Sequence, residues 1–173
     1  EDDTVERFIA CACAANATIH VLDGLADVPL RVSELLRERN LPATAHLPPD
    51  TDLRALQWDC IGISHAAPGP DDTAVSMAPF GVAETGTLVF PSGEGRPASW
   101  HFRPGFEIAV LRAEDIVPDL ESVLPRLRAG QWPGTINLVT GPSRTGDIEQ
   151  TLELGAHGPK ALAILLIRGR PAG

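Results

Sequence analysis

Ile136-Asn137-Leu138-Val139-Thr140-Gly141-Pro142-Ser143-Arg144-Thr145-Gly146-Asp147-Ile148-Glu149 is the stretch on which the reading of the fold turns. An apolar, β-like run from Ile136 to Thr140 opens directly into a loop of small and hydroxyl-bearing residues. Open α/β folds place ligand sites where a strand opens into such a loop. The loop gathers hydroxyls, an arginine and two acids, and Gly155-Ala156-His157-Gly158-Pro159 adds a histidine soon after. A second apolar run of strand length, Ala161 to Ile167, follows.

Working outward, Thr4 to Ala15 reads as a helix, with Val5, Phe8, Ile9 and Ala12 at helical spacing and Thr4 able to cap its start. Thr18 to Leu22 alternates and predicts a strand. Val28 to Arg39 predicts a second helix, with Val32, Leu35 and Leu36 on one face and Asn40 near its end. Ala43 to Leu47 predicts a strand, Leu53 to Leu56 a helical turn, and Cys60 to Ser64 a buried-type strand. Pro68-Gly69-Pro70-Asp71-Asp72 is a surface connection. Val75 to Met77, Thr87 to Phe90 and Ile108 to Leu111 predict further strands, and Phe80 to Ala83 is ambiguous. Ser92 to Pro97 is a turn or loop. Ile116 to Leu127 has helical spacing, with Pro118 in its first turn and Pro125 kinking or ending it. Strands alternating with helices imply an α/β fold: a mostly parallel sheet with helices on its faces. No repeat or linker divides the chain, so residues 1–173 are expected to form a single domain with a loose tail at 169–173.

A chain of 173 residues is long enough to bury about 70% of its unfolded surface, so the core needs neither disulfide nor metal. Its apolar fraction is 43% and its formal net charge is −9. Nucleic-acid phosphates call for clustered cations. Here the arginines are scattered and Lys160 is the sole lysine, which argues against a nucleic-acid surface. Cys11, Cys13 and Cys60 form no paired framework, consistent with a reducing compartment. No run approaches the roughly 20 apolar residues of a membrane span. The expected location is the cytoplasm. The first residue is Glu1 rather than Met, so an N-terminal piece is expected to precede it.

Three constellations carry candidate chemistry. After Thr140, the Gly141-Pro142 stop is followed by Ser143 and Thr145, which can cap a turn, and by Arg144, a fixed cationic fork. Free N–H groups at such a turn attract anions, and Asp147 and Glu149 can serve as acids, bases or hydrogen-bond acceptors. The plain alternative is a capped helix start with acids favoured by the dipole. In Glu84-Thr85-Gly86-Thr87, Gly86 permits an unusual backbone angle or a close ligand approach; the plain alternative is a polar turn. His157, flanked by small residues, can bind a ligand or move a proton near neutral pH, or simply bond nearby backbone. No metal site is expected. Cys11 and Cys13 lie two apart, on different sides of a helix, and read as core or semi-buried residues. His20, His46, His65 and His101 are dispersed. No G-x-S-x-G elbow is present. Trp58, Trp100 and Trp132 read as core or rim packing.

Together, Ala83-Glu84-Thr85-Gly86-Thr87, Gly141-Pro142-Ser143-Arg144-Thr145-x-Asp147-Ile148-Glu149 and Gly155-x-His157-Gly158-Pro159 resemble the signature of the lactate-utilisation protein C family, the LUD domain. The resemblance runs from the Trp58 region to Ile167. It implies a Rossmann-like sheet with helices on both sides, similar to the sugar-phosphate isomerase and CoA-transferase (NagB/RpiA) group. It also implies an accessory role in iron–sulfur oxidation of L-lactate to pyruvate. The partners so implied are a cysteine-rich subunit and a ferredoxin-type subunit, which carry the clusters; this chain would carry no cofactor of its own. Three positions depart from the family pattern. Gly146 stands for a usual Ala, Ala156 for a usual Val, and Glu107 where a His is expected, placing an acid where a base or cation would be. On this reading a small anion sits between the Glu84 and Ser143 loops. Asp147, His157 and Glu84 are the candidate catalytic groups. Thr85, Gly86, Thr87, Gly141, Ser143, Arg144, Thr145, Glu149 and Gly158 are the candidate ligand contacts. The alternative is a self-sufficient enzyme or metabolite sensor acting on a sugar phosphate, CoA ester or nucleotide, which rests on fold analogy.

Overall fold

The computed structural model describes residues 2–93, 100, 104–143 and 159–169. Six strands form the main sheet: β1 (Thr18–Leu22), β2 (Thr44–His46), β3 (Gly62–Ser64), β4 (Thr73–Ala78), β7 (Phe106–Arg112) and β10 (Ala161–Ile167). Their order is β1-β10-β7-β4-β2-β3, and every pairing is parallel. β10 lies between β1 and β7, with Ala161 opposite Phe106 and Ile167 opposite Arg112. Its unbroken apolar run follows from burial on both faces. Leu165 and Ile167 point into one core with Val32, Leu35 and Leu36 of α2 (Val28–Glu38). Ile164 and Leu166 point into the other with Val5, Phe8 and Ala12 of α1 (Asp2–Ala14). The helices therefore lie on opposite faces, as alternation of helix and strand implies.

Both long helices end the same way. In α1, Ala17 N–H donates to Ala12 O and Asn16 N–H to Cys13 O, with Asn16 at φ 68°. In α2, Leu41 N–H donates to Leu36 O and Asn40 N–H to Arg37 O, with Asn40 at φ 53°. This is the paired-bond stop in which an asparagine takes the left-handed position. Thr4 lies inside the first turn of α1 rather than capping it, because the helix already includes Asp2.

A second sheet was not foreseen. β8 (Ile116–Val117), β5 (Phe80–Val82), β6 (Thr87–Pro91) and β9 (Ile136–Val139) pair in that order. Its inner residues Leu88, Phe90 and Val139 pack with α1 on the main sheet. Its outer residues Val82, Val89 and Val117 meet Val123 and Leu127 of α4 (Val123–Arg128).

This layer corrects several expectations. The strand before Gly141 is β9, antiparallel to β6 in the small sheet, not a strand of the parallel one. Ile116 to Leu127 is not one helix: Ile116 and Val117 pair with Gly81 and Val82, and a turn precedes α4. Pro125 sits in the first turn of α4, where a helix needs no N–H from it. β3 is a half-buried edge strand rather than a buried one. Cys11 is half-buried as expected, whereas Cys13 is exposed, as is Cys60. The expected helical turn is α3 (Thr51–Arg54), slightly earlier than placed. His101 and most of the 92–97 loop and C-terminal tail lie outside the described residues.

Candidate functional site

The two glycine turns meet at the carbonyl end of α1. The turn from β5 to β6 is closed by Gly86 N–H donating to Val82 O at 2.9 Å. Gly86 has φ +66°, and a Cβ there would lie 2.2 Å from Ala12 N. Gly141, at φ +67°, is pressed equally close: a Cβ would lie 2.0 Å from Ala15 O. Both positions therefore need glycine twice over, for the left-handed backbone and for contact with helix backbone. The small residues Cys11, Ala12 and Ala15 let the turns approach. Cys11 Sγ donates to Glu84 O at 3.6 Å, tying the first turn to the helix.

Three hydroxyls join the turns. Thr85 Oγ1 and Thr87 Oγ1 are 2.7 Å apart, and Thr87 Oγ1 and Thr140 Oγ1 are 2.6 Å apart. Thr87 is buried, whereas Thr85 and Thr140 are exposed. The chain runs from one loop to the other, one rung beyond the Leu88–Val139 pair. Ser143 N–H then donates to Pro159 O at 2.8 Å. That bond brings the Gly141-Pro142-Ser143 segment to the Pro159 segment, just before β10.

Glu84 is exposed, and its carboxylate accepts from Leu120 N–H at 3.4 Å while its own N–H donates to Pro118 O at 3.1 Å. Beside it, two hydrogen bonds from Ser122, hydroxyl first and then backbone N–H, hold the Asp119 carboxyl below its usual range.

This geometry changes the expected anion chemistry in two ways. The Ser143 N–H is taken by Pro159 and is not an open donor. The helix end below the turns is the carbonyl end, whose dipole does not favour an anion. Among the described residues the threonine hydroxyls are donors at these turns, and by sequence Arg144 is another. Arg144, Thr145, Asp147, Glu149, His157 and Gly158 lie outside the described residues. Glu84, Thr85, Gly86, Thr87, Gly141 and Ser143 are the candidate residues the structure describes, and they are brought together. Sequence reasoning missed Thr140, the small-residue end of α1 and Pro159. The run Cys11-Ala12-Cys13-Ala14-Ala15 was a usable signal, since so many small residues at a helix end mark close backbone packing.

Glu107, an acid where the resemblance implies a histidine, is 1% exposed in β7 and accepts from Ser76 Oγ at 3.2 Å. It stands opposite Leu162, near the end of the strands at which Pro159 leads into β10. Among the described residues no group of three or more His, Cys, Asp or Glu could hold a metal ion.

A parallel sheet backed by a small mixed sheet, with the glycine, threonine and Gly-Pro-Ser turns gathered at one helix end, defines an α/β domain with a signature loop cluster. The chain belongs to the LUD domain family, matched over residues 71–167. It is 30% identical over 165 residues to uncharacterized protein YkgG of Escherichia coli, covering 90% of this chain and 70% of that one. It is 32% identical over 104 residues to lactate utilization protein C of Halalkalibacterium halodurans, covering 57% of this chain and 45% of that one. For the protein of the same name from Bacillus pumilus the values are 35% over 99 residues, with 54% and 41% covered. The chain thus spans under half the length of these two curated relatives. A crystal structure of a DUF162 family protein from Deinococcus radiodurans shares the fold, with a TM-score of 0.72 at 16% identity over 96% of this chain and 98% of that one. Among the described residues no helix is long and apolar enough to cross a membrane.

Proposed function

We propose that this chain serves in lactate utilisation as a non-cluster subunit, docking on cysteine-rich and ferredoxin-type iron–sulfur partners and holding a small anion beside the Glu84 and Ser143 loops. The clusters would reside in the partners and carry the electrons. Several relatives bear the name lactate utilization protein C, which supports the pathway. The observation that carries the site is the Thr85–Thr87–Thr140 hydroxyl chain, which spans the two signature turns. On this reading one exposed end of the hydroxyl chain donates to the anion, and Arg144 supplies the positive charge that a carbonyl helix end withholds. Asp147 and His157 act as an acid/base or orienting pair, and Glu84 braces the rim through Leu120. On this reading the work belongs in the cytoplasm, a reducing compartment that suits three free cysteines.

The test is isolation of the tagged chain from its native cells under gentle conditions, with partner identification and a visible absorption spectrum. Brown eluate containing cysteine-rich partners is expected. Arg144→Ala should then slow lactate-dependent electron transfer about tenfold or more while the assembly stays intact. A colourless chain recovered alone, from cells whose growth on lactate survives its deletion, would overturn the proposal.

A further inference from the structure

The opposite end of the small sheet holds a cavity of about 620 Å³. Its lining includes Phe80, Ser92, Arg126, Trp132 and Gly134. It opens beside Pro79, directly after the carboxyl end of β4. Open α/β sheets bind ligands outside the carboxyl ends of their strands, and the volume falls in the range of small-molecule sites. The length of β6, about 14 Å at strand rise, separates this cavity from the threonine chain.

Its groups have a definite chemistry. Trp132 is 56% exposed, although tryptophan usually buries most of its large apolar face. Arg126 carries its guanidinium 6.0 Å from the Phe80 ring centroid, on the wall of the same cavity. Among the described residues Arg126 forms no ion pair within 4.0 Å, and its charge acts on Asp115 only through space. Ser92 Oγ accepts from Thr135 N–H at 2.9 Å and keeps its own proton to donate. The glycines leave the space open: a Cβ at Gly130 would meet nothing within 4 Å, and one at Gly134 only Ser92 Oγ at 3.8 Å.

An exposed indole face stacks on a flat ring. A guanidinium fork without an acidic partner pairs with a carboxylate or phosphate. We propose that this cavity binds a flat aromatic or heteroaromatic ring bearing an anionic group, stacked on Trp132 with the anion on Arg126. The site is separate from the threonine cluster, and the inference does not depend on the lactate reading.

Calorimetric titration with two probes, AMP and nicotinate, tests it, with adenosine and inorganic phosphate as the separated halves of AMP and nicotinamide as the uncharged counterpart of nicotinate. At least one of the two probes should bind saturably, with sub-millimolar affinity, and more tightly than its own controls. Arg126→Gln should weaken that binding about tenfold and leave adenosine binding nearly unchanged. Trp132→Ala, at an exposed position, should weaken both. Gly134→Leu should fill the cavity and abolish binding at an unaltered melting temperature. Failure of both probes to bind, or binding indifferent to Trp132→Ala and Arg126→Gln, would overturn the proposal. The outcome is independent of electron transfer from lactate, so the two readings fail separately.

Discussion

At Gly86 and Gly141 the same residue type answers two demands, positive φ and contact with helix backbone. Gly86→Ala adds left-handed strain of about 1–3 kcal/mol and forces the turn off Ala12, so its melting temperature should fall well beyond what an exposed glycine such as Gly130 would cost. Equal losses at the two positions in thermal unfolding would contradict this account. Histidine chemistry gives a second expectation at this scale. Burial first, and the Arg31 charge second, lower the pKa of His20 below 6.5, with Glu38 opposing. Between the folded and unfolded values the unfolded chain binds the proton and the folded chain does not. Stability contributed by neutral His20 is therefore complete above about pH 6.5 and is lost as the pH falls below it. His20→Gln should flatten that part of the stability–pH curve, as read by denaturant unfolding. Unchanged slope would show that other groups set it.

Among the elements, α1 shows what the site asks of its scaffold. Ala12 is fully buried beneath Gly86, whereas Ala10 is exposed. Ala12→Leu should destabilise by about 1–3 kcal/mol through overpacking, and Ala10→Leu should change stability little. Chemical denaturation of the two variants separates the cases. Legibility in the sequence also divides by element. β1 and β10 carry their own pattern and match the expected limits residue for residue, and Asn40 marked the end of α2. The small sheet was not legible because its strands are short and their pairings distant in sequence, as between Gly81 and Ile116. The apolar positions from Ile116 to Leu127 mimic a helix by spacing, but Ile116 and Val117 find a strand partner in β5 that periodicity alone cannot see. Within the site, the glycines and threonines were legible as turn chemistry. Their convergence on α1 was not, since nothing local ties residue 12 to residue 86.

For the whole molecule, β10 is the wall shared by two cores. Ile164 faces α1 and the small sheet, and Leu165 faces α2, both fully buried. Ile164→Ala and Leu165→Ala should each cost about 2–5 kcal/mol. If the two cores form one cooperative unit, each variant should still unfold in a single transition by both near- and far-ultraviolet dichroism. Two separated transitions in either variant would show that the layers melt independently.

The hydroxyl chain also has a direction. Each threonine owns one proton, and buried Thr87 can give its own to Thr85 or to Thr140, but not to both. When Thr87 donates to Thr140, the outer proton of Thr140 is free and Thr85 must spend its own on Thr87. When Thr87 donates to Thr85, the roles reverse. The two exposed ends are thus complementary: one presents hydrogen while the other presents a lone pair. An anion settling at one loop orders all three rotors and turns the far loop into an acceptor, so the strip works as a toggle whose polarity the first visitor sets.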